Sequence, residues 1–265
     1  MIYDFVFVVV TYRNSSDLCE FIESCRNVKG SYKIIIINSF YDQSSHDLIK
    51  TIAINNNCDF LSVENRGYGY GNNKGIDIAL NNYEFLFLVV SNPDIKIIDL
   101  SAESLEKYSN SIIGPIISQP QGHDQNPYFP FYSLIIIWLR NIYINRGNPF
   151  YYFLANFINK IYRLIHKLFF QFGECSKVYA LHGSFFILPK KIINDLLPVF
   201  NENIFLFGEE EYLAIKAKRK LIKMFHIKKA NVLHNKHGSM KLVSQSIHNI
   251  TRESLRLSYD KSQHT

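Results

Sequence analysis

No apolar run in this chain approaches the roughly 20 residues that a bilayer-spanning helix needs, which excludes a spanning helix. Cysteine is scarce: Cys19, Cys25, Cys58 and Cys175 have neither the paired spacing of a zinc site nor a dense disulfide pattern. That excludes a metal-ribbon or disulfide scaffold and points to a reducing compartment. A basic leader is missing as well. Met1 to Val10 carries Asp4, so it is expected to be a first strand and not a signal peptide. The sharpest absence is local, for no Asp or Glu occurs between Tyr128 and Phe172. The chain as a whole has 265 residues and a net charge of +6 with pI near 9.0. Its length and 47% hydrophobic content suit one large α/β domain, or one domain with a long insertion.

What is present begins with strand candidates at Phe5–Val10, Lys33–Ile37, Phe60–Val63, Phe85–Val90 and Ile112–Ile117, of which the Phe5 and Phe85 stretches are unbroken apolar runs. Runs without alternation predict strands buried on both faces, as in a parallel sheet. Between them lie helical patterns. Leu18, Phe21, Ile22 and Cys25 form one apolar face after a Ser15 or Ser16 cap, and Leu48, Ile49, Ile52 and Ala53 form another after Ser44 or Ser45. Strands alternating with helices predict right-handed parallel crossovers. Such sheets bind ligands beyond the carboxyl ends of their strands. There, after Phe85–Val90, stands Ser91-Asn92-Pro93-Asp94. Pro93 cannot extend a central ladder, so Asp94 falls at the strand mouth, where a carboxylate can hold a divalent metal against a diphosphate. A plain Asn-Pro-Asp turn is the alternative.

Asn65-Arg66-Gly67-Tyr68-Gly69-Tyr70-Gly71-Asn72-Asn73-Lys74-Gly75 precedes a third helical pattern with Ile76, Ala79 and Leu80 inward. Alternate glycines let a backbone approach a phosphate or ribose, or simply make a tight turn. The segment is no dinucleotide fingerprint, because Asn72 takes the third glycine position and the segment follows the third strand. From Phe150 to Phe172, Asn156, Asn159, Lys160, Arg163, His166, Lys167 and Gln171 recur at helical spacing as one cationic face among Phe, Tyr, Leu and Ile. This predicts a helix lying in a membrane interface, with docking on the protein or a partner as the alternative. Further on, His182-Gly183 precedes an apolar strand, Ser184–Leu188, stopped by Pro189. Glu209-Glu210-Glu211 opens a helix with Leu213, Ala217 and Leu221 and a basic last turn. Its acids complement the helix dipole, yet three adjacent like charges can also raise one pKa towards that of a general base. Val232-Leu233-His234 ends another short run, before His237-Gly238-Ser239, and a His at a strand end is a candidate metal ligand.

Taken in order, Val9-Val10-Thr11-Tyr12, the Asn65–Gly75 segment, Asn92-Pro93-Asp94, Gly183-Ser184-Phe185-Phe186 and Phe205-Leu206-Phe207-Gly208-Glu209-Glu210 resemble the motifs of family 2 glycosyltransferases with the GT-A fold, of the bacterial type that builds capsule or O-antigen. The resemblance implies an α/β fold with a Rossmann-like, mainly parallel central sheet and flanking helices, plus a basic amphipathic helical insertion. Residues 1–127 would be the nucleotide-sugar half, 128–172 the insertion, 173–240 the acceptor and catalytic half, and 241–265 a helical tail. It implies inverting transfer from a nucleotide-diphosphate sugar with Mg²⁺ or Mn²⁺. Donor contacts would come from Thr11, Tyr12, Asn38, Asp42, Asn65, Gly67, Tyr68, Gly71, Asn72 and Asn92. Asp94 and His234 would serve the metal, Glu210 with Glu209 the catalytic base, and His182 and Gly183 the acceptor. The chain departs from the family where Asn38-Ser39-Phe40-Tyr41-Asp42 replaces its Asp-Asn-x-Ser-x-Asp, and where Arg13 replaces an Asn. The Asn-Pro-Asp form tilts the donor towards dTDP-rhamnose, with a UDP-sugar as the other choice.

The implied setting is cytoplasmic, peripheral on the inner face of a bacterial plasma membrane, with a lipid-linked glycan as acceptor and an anionic membrane surface as partner. A homodimer stays open. A non-catalytic nucleotide-sugar-binding scaffold of a polysaccharide assembly complex is the alternative function. Nucleic acid is set aside, because the bases cluster among apolar residues and not on an open polar face.

Overall fold

The computed structural model describes residues 2–235 and 247–260, so His237-Gly238-Ser239 lies outside them. The first half comprises β1 (Ile2–Thr11), α1 (Ser15–Ser24), β2 (Val28–Lys29), β3 (Tyr32–Ser39), α2 (Gln43–Asn55), β4 (Asp59–Val63), α3 (Tyr68–Asn82) and β5 (Glu84–Ser91). Then come β6 (Ile95–Ser101), α4 (Ala102–Leu105), β7 (Ser111–Ser118), α5 (Leu134–Arg146) and α6 (Pro149–Phe170). The remainder is β8 (Cys175–Val178), β9 (Phe185–Pro189), α7 (Lys190–Ile193), α8 (Glu209–Arg219), β10 (Lys223–His234) and α9 (Ile247–Tyr259).

All ten strands join one sheet in the order β2-β6-β10-β7-β9-β5-β1-β3-β4, with β8 attached to β10. In the half built from the first 91 residues, β5, β1, β3 and β4 run parallel, as the apolar runs of β1, β3 and β5 predict. Successive residues of β1 feed opposite cores: Val6, Val8 and Val10 face one, Phe5, Phe7 and Val9 the other. Beyond β5 the sheet becomes mixed, because β9 runs antiparallel to β5 and β7, and β10 antiparallel to β6 and β8.

Several local expectations need correction. Asn14, not Ser15 or Ser16, occupies the N-cap of α1, and Asp42 caps α2 by accepting from the Ser45 N–H at 2.8 Å. Leu48 is exposed, so the inner face of α2 rests on Ile49 and Ala53. Helix α3 begins at Tyr68, which puts Gly69, Gly71 and Gly75 inside it. Their missing side chains let the helix sit close on neighbouring elements: a Cβ at Gly75 would come within 2.2 Å of Val8, and one at Gly71 within 3.0 Å of Val10. Gly71 and Gly75 therefore serve close helix-to-sheet packing, whereas a Cβ at Gly69 would meet the Phe200–Asn201 segment. Gly67 is different, since its φ of +108° and its contact with the Phe205 backbone admit no side chain. Strand β6 has no counterpart among the expected elements, and Val232-Leu233-His234 is only the end of the 12-residue β10. Leu221 falls just past α8 and is exposed.

The largest correction concerns α6. Its polar residues face the protein. Asn159 donates to the Tyr128 carbonyl (2.8 Å), Arg163 to the Asp124 carbonyl (2.7 Å), and Asn156 accepts from Arg140 (3.0 Å). His166 is buried against Phe170 and His226. Lys160 and Lys167 alone of its basic residues are exposed.

Candidate active site

The register brings separate stretches to one edge of the sheet. Thr11 and Asn38 pair at the carboxyl ends of β1 and β3, and Ser91 at the end of β5 lies opposite Phe185 at the start of β9. His234 closes β10 opposite Ile95, the residue after Asp94. The turn between β5 and β6 and the pairing of β10 with β6 thus set Asp94 Oδ1 3.2 Å from His234 Nε2, both side chains buried. Gln125 Oε1 lies 2.6 Å from His234 Nδ1. With that oxygen accepting from Nδ1–H, Nε2 is turned to the carboxylate, and a histidine metal ligand is held by an outer partner in the same way. Gln125 Nε2 in turn lies 3.2 Å from His182 Nε2, and Asn126 Oδ1 accepts from the His182 N–H at 2.8 Å.

Next to His182, Gly183 donates its N–H to Glu210 Oε1 (3.1 Å), while its carbonyl accepts from the Tyr68 hydroxyl (3.1 Å). A Cβ at Gly183 would fall 2.7 Å from that same Oε1. The three glutamates of α8 differ in kind. Glu209 is buried, and burial together with the Glu210 charge holds its carboxyl well above the usual range. Glu211 is also buried; its Oε1 lies 3.6 Å from Arg140 Nη2 and accepts from the Tyr128 hydroxyl at 3.3 Å. Only Glu210 is partly exposed. Burial first and the Glu211 charge second push its pKa up to about 7, against the hydrogen bonds from its own and Gly183's N–H. That value suits a base working near neutral pH.

The residues expected to contact a donor follow the carboxyl ends of β1, β3, β4 and β5. Thr11 and Asn38 are buried, with Asn38 donating to Ser62 Oγ at 3.1 Å. Tyr12 meets Tyr41 edge to face at 5.6 Å, and the Arg13 guanidinium lies 4.0 Å above the Tyr41 ring. Asn72 is buried and donates to the Tyr68 carbonyl, and its Oδ1 has no hydrogen-bond partner. Asn92 donates its N–H to the Ser184 carbonyl (2.9 Å), which ties the Asp94 turn to the β9 entry. Asn65 is half-buried, and Asp42 is exposed at its helix cap.

Sequence patterns missed Gln125, Tyr41 and the Arg140–Glu211 pair. Gln125 reaches His234 across 109 residues, so no local spacing could announce it. Among the described residues no group of three or more His, Cys, Asp or Glu gathers around a point. Asp94 and His234 supply one oxygen and one nitrogen donor side by side, fewer protein ligands than a divalent cation takes by itself.

A parallel half that runs into a mixed half through antiparallel β9, with a carboxylate at the mouth of β5, is the GT-A glycosyltransferase fold. Among solved structures, S. aureus TarS 1–349 in complex with UDP-GlcNAc is similar over 96% of this chain and 65% of its own, with TM-score 0.58 and 13% identity. GalNAc-T7 with UDP, GalNAc and Mn²⁺ is similar over 88% of this chain and 44% of its own, with TM-score 0.59 and 10% identity. The chain spans 36% to 65% of the length of such structures, and at these identities the likeness is one of fold. No protein-family model and no curated protein sequence matches the chain.

Proposed function

We propose that this protein is an inverting glycosyltransferase. It moves a sugar from a nucleotide-diphosphate donor, dTDP-rhamnose or a UDP-sugar, to a lipid-linked glycan in cell-surface polysaccharide synthesis of the capsule or O-antigen type. One observation carries the reading: a line of contacts runs from Asp94 through His234, Gln125 and His182-Gly183 to Glu210, joining a cation-and-diphosphate end to a base. Tyr12 and Tyr41 offer ring faces to a nucleobase beside Asn38. Asp94 and His234 would hold Mg²⁺ or Mn²⁺, which neutralises charge growing on the leaving diphosphate. The Gly183 N–H fixes the Glu210 carboxylate, and Glu210 takes the proton of the acceptor hydroxyl as that oxygen attacks the anomeric carbon.

The test is a thermal-shift screen of UDP- and dTDP-sugars with and without Mn²⁺, followed by transfer of labelled sugar to a membrane-lipid acceptor fraction. Metal-dependent stabilisation by one donor is expected, because a ligand that binds only the folded state stabilises by mass action. Stabilisation without transfer would turn the reading into the scaffold alternative. No response to any nucleotide sugar would overturn both.

A further inference from the structure

A helix on the surface of a water-soluble protein buries its apolar stripe and exposes its polar one. Helix α6, 22 residues and about 33 Å long at 1.5 Å per residue, departs from this by presenting a second apolar side to the outside. Its inner side packs Tyr151, Leu154, Ala155, Ile158 and Tyr162 on the core and engages Asn156, Asn159, Arg163 and His166 with the body of the protein. The outward side is Phe153, Phe157, Ile161, Leu164, Leu168 and Phe169, each between 42% and 70% exposed. Helix α5 packs beside it and adds Leu134, Ile135 and Trp138, all more than half exposed. An apolar surface of this extent marks an interaction site.

We infer that the outward faces of α5 and α6 form a platform that inserts into the interface of an anionic lipid bilayer, with α6 lying in the membrane plane. Charge selects the occupant. The exposed ionic groups of α6 are Lys160 and Lys167, and no acid occurs from Tyr128 to Phe172. Anionic headgroups complement that rim. A second copy docked about a two-fold axis would offer the same cations and no acid. Insertion stops short of spanning, since no helix among the described residues is long and apolar enough to cross a membrane. The surface also lies close to the candidate site: Asn159 holds the backbone of Tyr128, whose hydroxyl reaches Glu211, and Arg163 holds the backbone of Asp124, next to Gln125. The inference goes beyond the transferase reading and does not depend on turnover.

The experiment uses the full chain and vesicles of phosphatidylcholine with and without 30% phosphatidylglycerol. Wild type is expected to co-sediment with the anionic vesicles in a salt-sensitive way. Phe153→Ser/Phe157→Ser/Leu164→Ser should lower that partition at least 100-fold while circular dichroism and thermal midpoint hold, because all three side chains already face outward. Lys160→Glu/Lys167→Glu should lower it about 10-fold on anionic vesicles and little on neutral ones. Arg163 is left intact, since its guanidinium is bound to the Asp124 carbonyl. Transfer to a water-soluble acceptor should be the same in the triple variant and wild type, so loss of vesicle binding is separable from loss of catalysis. Wild type that stays in the supernatant, or a triple variant that sediments like wild type, would refute the platform. So would a wild-type dimer that the triple variant converts to monomer.

Discussion

Replacing Glu210 with Gln separates a catalytic carboxylate from a helix-dipole carboxylate by the sign of the stability change. If Glu210 only complemented the N-terminus of α8, its loss would lower stability by about 0.3–1 kcal/mol and leave turnover alone. The structure predicts otherwise. A carboxyl whose pKa is raised from 4.5 to about 7 binds its proton more tightly folded than unfolded. Its stabilising contribution is complete below pH 4.5 and is lost as pH climbs through about 7. At about 1.4 kcal/mol per pKa unit, the ionised side chain costs up to about 3 kcal/mol at pH 8. Gln keeps an oxygen for the Gly183 N–H and carries no charge, so Glu210→Gln should raise the thermal midpoint by several degrees at pH 8 and change it little at pH 4. Turnover should fall by about 10²–10⁴, and the wild-type rate should rise with pH along a limb near pH 7 that the variant lacks. Glu211→Gln is the control: burial holds its carboxyl above the usual range as well, against the pull of Arg140, but it faces Arg140 and Tyr128, so its turnover should change far less. The assay is a pair of melts at pH 4 and pH 8 with transfer rates for both variants. A destabilised, fully active Glu210→Gln would refute the argument.

Three further perturbations address the rest of the line. Asp94→Ala should abolish Mn²⁺-dependent donor stabilisation while the melt without ligand stays cooperative; calorimetric titration with donor and metal checks it. Gln125→Ala should weaken metal affinity about 10–100-fold by freeing the His234 ring, as outer-shell changes do, and Mn²⁺ titration of donor binding measures it. Gly183→Ala puts a methyl 2.7 Å from Glu210 Oε1; the flexible end of Glu210 yields, so turnover should drop at least 10-fold with little change in melting or donor affinity.

The parallel half was legible because doubly buried strands leave no choice of residue type: β1, β3 and β5 read as unbroken runs. Strand β6 was not, since Ile95, Ile97 and Leu100 are buried while Lys96, Ile98 and Asp99 are not, and so short an alternation between a turn and a 4-residue helix gives little signal. Helical periodicity showed that α6 has two faces but not which one meets the protein. That was decided by the carbonyls of Asp124 and Tyr128, main-chain acceptors without a signature in sequence. At the candidate site, the sequence placed Asp94 just after β5 and Glu210 in the first turn of α8, and the structure has them there; their chemical roles belong to the proposal. Gln125 was not legible, because an amide matters only through what it faces.

The pairing of Arg140 on α5 with Glu211 on α8 bears on how this protein can be handled and how it can diverge. The helix that carries the outward apolar surface and the helix that carries the base share one buried charge pair, stacked under Tyr152 and bonded to Asn156. Residues 128–172 therefore cannot be cut away to leave a soluble catalytic remnant, since the excision would strand a buried carboxylate one residue from Glu210. A variant with less exposed apolar surface has to change the outer face of α5 and α6 and keep their inner one, where Arg140, Asn156, Asn159 and Arg163 are bonded to the rest of the protein.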